Sequence, residues 1–179
     1  MRAMILAAGL GTRLKPFTNH HPKALAVVNG KSLLQRNVEY LQQAGILEVI
    51  VNVHHFADQI IQAITHANGW GSKVTISDET SEVLETGGGV LKAAPYFANE
   101  ASWLVMNADI LTNMDLSALI QKDRMHASTF NHYVATLAVT NRSSSRNLLF
   151  NDAGHLVGWK NNTTGEEKWV NSNASSQPY

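Results

Sequence analysis

Two glycines and two basic residues near the start of the chain have the types and spacing needed to bind a phosphate group. Gly9 and Gly11 end the apolar run that begins at Met4, and glycines there let several backbone N–H groups point at one anion. Arg13 can bind phosphate oxygens through its planar guanidinium, and Lys23 adds a compact charge on a flexible side chain. Together they predict a binding site for a nucleoside triphosphate.

The glycine spacing differs from two common phosphate-binding motifs. Residues 9–14, GLGTRL, lack the third glycine of the dinucleotide-binding motif, and no Gly-Lys-Ser/Thr follows as in a P-loop. A Gly-x-Gly pair alone also occurs in tight turns that need a positive φ. Arg13 and the later Pro22-Lys23 are what favour phosphate binding over a simple turn.

Asp109 is the first candidate for a metal ligand. It follows an apolar stretch, Ser102 to Asn107, which we predict to be a buried strand. Magnesium prefers oxygen ligands and commonly takes one or two carboxylates together with substrate phosphates. Aspartate also caps turns and helices, but Asp115 is better placed for that role. We therefore expect Asp109 to bind Mg²⁺.

Three consecutive glycines, Gly87 to Gly89, follow Glu85-Thr86 and precede a predicted helical run, Val90 to Ala94. Without side chains they would let a flat ring lie against the main chain, whose N–H and C=O groups can read the hydrogen-bonding edge of that ring. The alternative is a flexible surface loop. The segment does not distinguish uracil from guanine.

Strand-like and helix-like segments alternate, which predicts helices packed on a mostly parallel sheet. The predicted strands are Ala3 to Ala8, Leu47 to Val53, Lys73 to Ser77, Ser102 to Asn107 and Tyr133 to Val139. The predicted helices run from a cap at Ser32 to Gly45, from Ala57 to Ala67 and from Asp115 to His126. Arg146 to Phe150 and His155 to Trp159 flank Asn151-Asp152-Ala153-Gly154, which indicates a hairpin.

Asn52 lies near the end of the second predicted strand. Ligands of open parallel sheets bind beyond the carboxyl ends of the strands. Asn52 should therefore border the same crevice as Gly9 and Asp109, and we predict that it contacts the substrate.

Composition and charge exclude several other classes of protein. The net charge is zero, yet the segment through Arg36 contains six basic residues and no acidic one, which suits a small polyanion better than a nucleic acid. The chain has no cysteines, and its 8 histidines lack a metal-binding spacing. The first apolar run is too short for a signal sequence or a membrane span, so we expect a cytoplasmic protein.

The segments LAAGLGTRLKPFT and HPKAL, residues 6–18 and 21–25, resemble the signature of the sugar-1-phosphate nucleotidylyltransferases. These enzymes join a nucleoside triphosphate to a sugar 1-phosphate and release pyrophosphate. With Glu85-Thr86-Gly87-Gly88-Gly89 and Asn107-Ala108-Asp109, the chain is most similar to N-acetylmuramate-1-phosphate uridylyltransferases and mannose-1-phosphate guanylyltransferases. The resemblance covers roughly residues 2 to 160 and implies a Rossmann-like mixed, mostly parallel sheet with flanking helices.

The resemblance also implies roles for individual residues. Arg13, Lys23 and Asp109 would be catalytic, with Asp109 holding Mg²⁺. Lys160, which follows the predicted hairpin, resembles a lysine that reaches the sugar phosphate, although the Glu-Lys-Pro context typical of the family is absent. The implied nucleotide-binding residues are Ala7, Ala8, Gly9, Gly11, Thr12, Arg13, Thr86, Gly87, Gly88 and Asn107.

The family pattern continues beyond Lys160, so we expect residues 1–160 to be an incomplete nucleotide-binding catalytic domain, truncated at its C-terminus. Residues 161–179 would be a polar tail or the start of the missing part, with a second metal carboxylate also missing. Two other functions stay open. One is a cytidylyltransferase of the isoprenoid or molybdopterin type, which shares the LAAGxGxR opening, and the other is a non-catalytic nucleotide-binding module. The sequence does not predict the sugar or the oligomeric state.

Overall fold

The computed structural model of the chain describes residues 1–82, 84–131, 133–140 and 143–170, and the backbone of 177–178. They form two compact units, Met1–Ser128 and Thr129–Tyr179. The predicted boundary after residue 160 lies inside the strand Leu156–Asn161 of the second unit, which pairs with a neighbouring strand on each side. Residues 171–176 and 179 of the predicted tail lie outside the described residues.

The first unit is built on a parallel sheet of four strands in the order β5-β4-β1-β6. These strands are β1 (Ala3–Leu6), β4 (Glu48–Val53), β5 (Lys73–Asp78) and β6 (Leu104–Asn107). A turn at Asn29-Gly30 joins a small antiparallel pair, β2 (Val27–Val28) and β3 (Lys31–Ser32). The four predicted strands of this unit are confirmed within a few residues.

Four helices accompany the sheet: α1 (Leu33–Gln43), α2 (Ala57–His66), α3 (Glu85–Ala93) and α4 (Leu116–Thr129). The predicted caps are confirmed, because Gln35 N–H donates to Ser32 Oγ at 3.1 Å and Ala118 N–H donates to Asp115 Oδ1 at 3.1 Å. Among the described residues no helix has both the length and the apolar character required to cross a membrane.

Both faces of the sheet are covered, as the apolar sequence of β4 predicts for a parallel sheet. Alternate residues of β1 point to opposite faces, so that Ile5 packs with α1, α2 and the start of α4, whereas Met4 packs with Ala93 and Phe97. The packing holds the carboxyl ends of the strands in a fixed arrangement.

Leu34 of α1 is a test of this core, because its side chain is 0% exposed. We expect Leu34→Ala to lower the free energy of unfolding by about 2 to 5 kcal/mol, since it removes buried methyl groups and leaves a cavity. Urea unfolding measures the effect. Leu47→Ala is the matched control, because Leu47 is 54% exposed and should change the value by less than about 0.5 kcal/mol. Equal losses in the two variants would contradict this description of the core.

The second unit contains β7 (Arg146–Phe150), β8 (Leu156–Asn161), β9 (Glu167–Trp169) and the short β10 (Gln177–Pro178). They form an antiparallel sheet in the order β10-β7-β8-β9. The predicted hairpin is confirmed: the Asn151 side chain accepts the N–H groups of Ala153 and His155, at 3.1 Å and 2.9 Å.

Three expectations about local structure are wrong. Residues 133–139 form no strand, and Val134 is 92% exposed, because a run of apolar and β-branched residues does not by itself supply a partner strand. β6 is not a buried strand: it is the edge of the described sheet, where Val105 is 42% exposed. Gly87 to Gly89 are not a loop either, because they belong to α3, which begins at Glu85. The close packing at Gly89 leaves no room for a side chain on that part of the helix.

Candidate active site

A cavity of about 440 Å³ lies at the carboxyl ends of β1, β4 and β6. It contains most of the residues that the sequence singled out, although they are far apart in the chain. From that group its lining includes Ala7, Ala8, Gly9, Gly11, Thr12, Arg13, Lys23, Asn52, Thr86, Asn107 and Asp109. Gly87 and Gly88 are not part of this lining, because they lie inside α3.

The loop that follows β1 is shaped at Gly11. This glycine has φ 65°, a left-handed conformation, and caps a single 3₁₀ turn formed by Thr12–Leu14. Its carbonyl oxygen accepts from Leu14 N–H at 2.8 Å and from Thr18 Oγ1 at 3.0 Å, and Thr18 is buried. The loop is therefore held from outside the cavity, which leaves Gly9 and the side chain of Arg13 exposed on the cavity side.

Gly11→Ala should destabilise the protein. A Cβ at this position would stand 2.9 Å from Thr18 Cγ2 and 3.0 Å from Lys23 Cβ, in addition to the strain of the positive φ. We expect a loss of about 1 to 3 kcal/mol in the free energy of unfolding, measured in urea. Gly9→Ala is the control, because nothing lies within 4 Å of its added Cβ. If Gly9→Ala lowered the free energy of unfolding as much as Gly11→Ala, the role of Gly11 in shaping the loop would be contradicted.

Lys23 and Asp109 form an ion pair between Nζ and Oδ2 in the cavity, although they are 86 residues apart in the chain. Their side chains are 22% and 32% exposed, so both remain within reach of a ligand. The turn that carries Asp109 is fixed by two hydrogen bonds. Ala108 N–H donates to Leu6 O at 3.0 Å, and the buried Asn37 Nδ2 donates to Ala108 O at 2.8 Å.

Arg13 lines the same cavity but, unlike Lys23, is not paired with a carboxylate of the described residues. Its side chain is exposed, and it makes no ion pair with any residue in the described ranges. A guanidinium in this position can bind an anion without first leaving a protein carboxylate. Lys23, in contrast, has to exchange Asp109 for a ligand.

The donor set of the cavity fits a metal ion that arrives with its ligand. The described residues contain no group of three or more His, Cys, Asp or Glu side chains that could hold a metal. Asp109, the carboxylate of the cavity that lies beside the glycine loop and Lys23, matches the usual mode of Mg²⁺, which keeps waters and takes one or two carboxylates plus phosphate oxygens.

The cavity is electrically asymmetric. Arg13 and Lys23 lie at the glycine loop, whereas Glu79 and Glu85 line the part formed by β5 and the start of α3, together with Thr86. Glu85 itself has φ 56°, a strained conformation for a residue with a side chain. A ligand that is anionic at one end and carries N–H donors at the other is complementary to this arrangement.

Glu79 lines the cavity but was not predicted from the sequence, because it belongs to no motif. His54 also lines it, as expected for a residue at the carboxyl end of β4. Asn52, which we predicted to contact the substrate, is buried. Its Oδ1 accepts from Ala7 N–H, and its Nδ2 donates to Glu79 Oε1. Its direct contact with a substrate stays a prediction.

Lys160 belongs to β8, in the second unit. Its Nζ donates to Glu167 Oε1 at 2.7 Å, and this hydrogen bond holds the pKa of Glu167 below its usual value. The side chain is therefore already paired within its own sheet, and its role at a sugar phosphate stays a prediction.

The parallel sheet, the glycine loop and the charged cavity define an α/β domain built to bind a ligand at the carboxyl edge of its strands. The chain belongs to the nucleotidyl transferase family, whose model matches residues 2–147. The strand, glycine turn and cavity described above all lie within the matched segment.

Individual relatives agree with this assignment. The chain is 39% identical over 121 residues to the N-acetylmuramate alpha-1-phosphate uridylyltransferase of Neisseria meningitidis, covering 68% of this chain and 52% of that protein. It is 39% identical over 119 residues to the D-glycero-alpha-D-manno-heptose 1-phosphate guanylyltransferase of Campylobacter jejuni, covering 66% and 52%. The crystal structure of HddC from Yersinia pseudotuberculosis complexed with GMP-PN matches with a TM-score of 0.61 at 36% identity, covering 68% and 53%. The chain thus spans about half the length of the curated relatives it matches.

Proposed function

We propose that the protein is a sugar-1-phosphate nucleotidyltransferase, which joins UTP or GTP to a sugar 1-phosphate and releases pyrophosphate. The observation that carries the proposal is the convergence of Arg13, Lys23 and Asp109 on the glycine loop within one cavity. The relatives, which are named as uridylyl- and guanylyltransferases of sugar 1-phosphates, support it.

In this proposal an oxygen of the sugar 1-phosphate attacks the α-phosphorus of the nucleotide, and pyrophosphate leaves from the opposite side. No covalent protein intermediate is needed. Arg13 and the N–H groups of the glycine loop hold the β and γ phosphates, and Lys23 binds the phosphates that react. Catalysis then rests on positioning the two substrates and on neutralising negative charge as it moves.

Asp109 would hold Mg²⁺, which supplies positive charge to the phosphate oxygens when it is bound. Lys23 pairs with Oδ2 of Asp109, so a cation held by Asp109 would leave the lysine available to phosphates.

The residues predicted to contact the base and the sugar phosphate also have a place in this proposal. Thr86 lines the cavity beside the exposed Glu85, whose carboxylate can accept the N–H groups of a uracil or guanine ring. Gly87 and Gly88 would act through the backbone of the first turn of α3. Lys160 would meet the sugar phosphate after exchanging Glu167, and Asn52 would act at the carboxyl end of β4.

A pyrophosphate-release assay tests the proposal. UTP, GTP, CTP and dTTP are each offered with Mg²⁺ and with N-acetylmuramate, mannose and glucose 1-phosphates as acceptors. We expect release with UTP or GTP, and only when a sugar 1-phosphate is present.

Two results would overturn the assignment. Release with CTP alone among the four nucleotides would favour a cytidylyltransferase. Nucleotide binding without release by the entire protein would favour a non-catalytic binding module.

A further inference from the structure

Glu79 is a buried acidic residue at the cavity that the proposed mechanism does not use. It follows β5 directly, its residue surface is 1% exposed, and it lines the cavity. Burying a carboxylate is costly unless hydrogen bonds satisfy it. Its Oε1 accepts from Asn52 Nδ2 at 2.9 Å, and its backbone oxygen lies 2.7 Å from His54 Nδ1.

Asn52 connects Glu79 to the glycine loop. The Asn52 Oδ1 accepts from the backbone N–H of Ala7 at 2.7 Å, in a buried contact. An amide side chain has one accepting and one donating side, and an ionised carboxylate only accepts. Glu79 therefore fixes the nitrogen of the Asn52 amide toward itself and the oxygen toward Ala7, the first residue of the loop after β1.

The same pair of side chains also contacts α3. A Cβ on Gly89 would stand 2.7 Å from Glu79 Oε1 and 3.0 Å from Asn52 Nδ2, so the helix packs directly on them. The Glu79 and Asn52 pair thus connects the loop at Ala7 with the helix whose first turn carries Thr86. These are the two parts of the cavity that the proposed function assigns to the phosphates and the base.

We propose that Glu79 is a positioning residue for nucleotide binding, which acts through Asn52 on the backbone N–H of Ala7. The nucleotide in this inference rests on the proposed function. The relay, which is the hydrogen bond from Asn52 to Glu79 together with the one from Ala7 to Asn52, does not. Glu79 needs no contact with the nucleotide in this role. Its carboxylate holds the amide that sets the start of the phosphate-binding loop.

Three substitutions separate this role from a general loss of stability. Glu79→Ala removes the acceptor that orients Asn52. Glu79→Gln keeps one accepting oxygen of nearly the same shape, and should restore the relay. Ser77→Ala is the matched control: Ser77 is buried on the same strand, and its Oγ has no hydrogen-bond partner among the described residues.

Calorimetric titration with UTP and with GTP, each with Mg²⁺, gives the first readout. We expect Glu79→Ala to raise the dissociation constant roughly tenfold, as for the loss of a buried hydrogen bond to a charged group. Glu79→Gln should stay within about threefold of the unaltered protein, and Ser77→Ala should leave the constant unchanged. An unchanged constant in a folded Glu79→Ala variant would overturn the proposal.

The second readout needs no nucleotide. Hydrogen exchange of the Ala7 amide, followed by NMR, should become roughly tenfold faster in Glu79→Ala and recover in Glu79→Gln. Unchanged exchange at Ala7 would disprove the relay. If neither UTP nor GTP binds the unaltered protein, the proposed function fails. The exchange rate of the Ala7 amide would still show whether the relay exists.

Gly89→Ala probes the same pair from the helix side, and it replaces Glu79→Ala if that variant does not fold. Its added Cβ should displace the Glu79 carboxylate and accelerate exchange at Ala7. Gly87→Ala is its control, because nothing lies within 4 Å of a Cβ at that position. Equal exchange at Ala7 in Gly89→Ala and Gly87→Ala would contradict the relay.

Discussion

Lys23→Ala is expected to lower the turnover number by about a hundred- to a thousandfold, the usual cost of removing one charge-stabilising donor from the reacting centre. Lys23 lines the cavity beside the glycine loop, and its charge can follow the phosphates as the bond breaks. Because this interaction strengthens as the reaction proceeds, the turnover number should fall much more than the Michaelis constant of the nucleotide changes. Initial rates of pyrophosphate release over a range of UTP or GTP concentrations, up to saturation, measure both values.

Two further variants make this test specific. Lys23→Arg keeps the charge but replaces a compact ammonium with a wide planar group, so it should recover only part of the activity. Lys122→Ala removes an exposed lysine of α4 that does not line the cavity, and should leave the rate unchanged. The role of Lys23 would be refuted by a loss of less than about tenfold. Arg13→Ala should cause a comparable loss, because Arg13 provides the other cation of the cavity.

The parallel sheet could be predicted because its signals are local and strong. The near-continuous apolar sequence of β4 indicates a strand covered on both faces, and Ser32 caps α1 as its position predicts. The grouping of Gly9, Asn52 and Asp109 also follows from topology, since parallel strands bring their carboxyl ends to one edge. The cavity could therefore be located without knowledge of a single side-chain contact.

The rest of the site depends on contacts that no local pattern encodes. The partners Lys23 and Asp109 were each singled out, but their ion pair joins segments 86 residues apart. Glu79 gave no signal, because a buried glutamate has the same sequence appearance as an exposed one. Residues 133–139 show the converse case, in which a run of strand-forming residues has no partner strand in the part of the chain that the structure describes.

Asp109→Asn is expected to abolish most of the turnover as well, by about a hundred- to a thousandfold. The substitution keeps the shape of the side chain but removes the charge that pairs with Lys23 and that would bind Mg²⁺. The neutral amide should also raise the Mg²⁺ concentration that gives half-maximal rate. Rates measured across a titration of Mg²⁺ at fixed nucleotide report both effects, and Mn²⁺ binding followed by electron paramagnetic resonance reports metal affinity without turnover.

Asp115→Asn makes the same chemical change elsewhere and isolates the effect of position. Asp115 caps α4 through its bond from Ala118 N–H, and asparagine caps helices about as well as aspartate. This control should therefore retain its rate, its Mg²⁺ dependence and its stability. If Asp109→Asn kept an unchanged Mg²⁺ dependence while losing activity, Asp109 would act only as the partner of Lys23, and the metal would have to be held by another carboxylate.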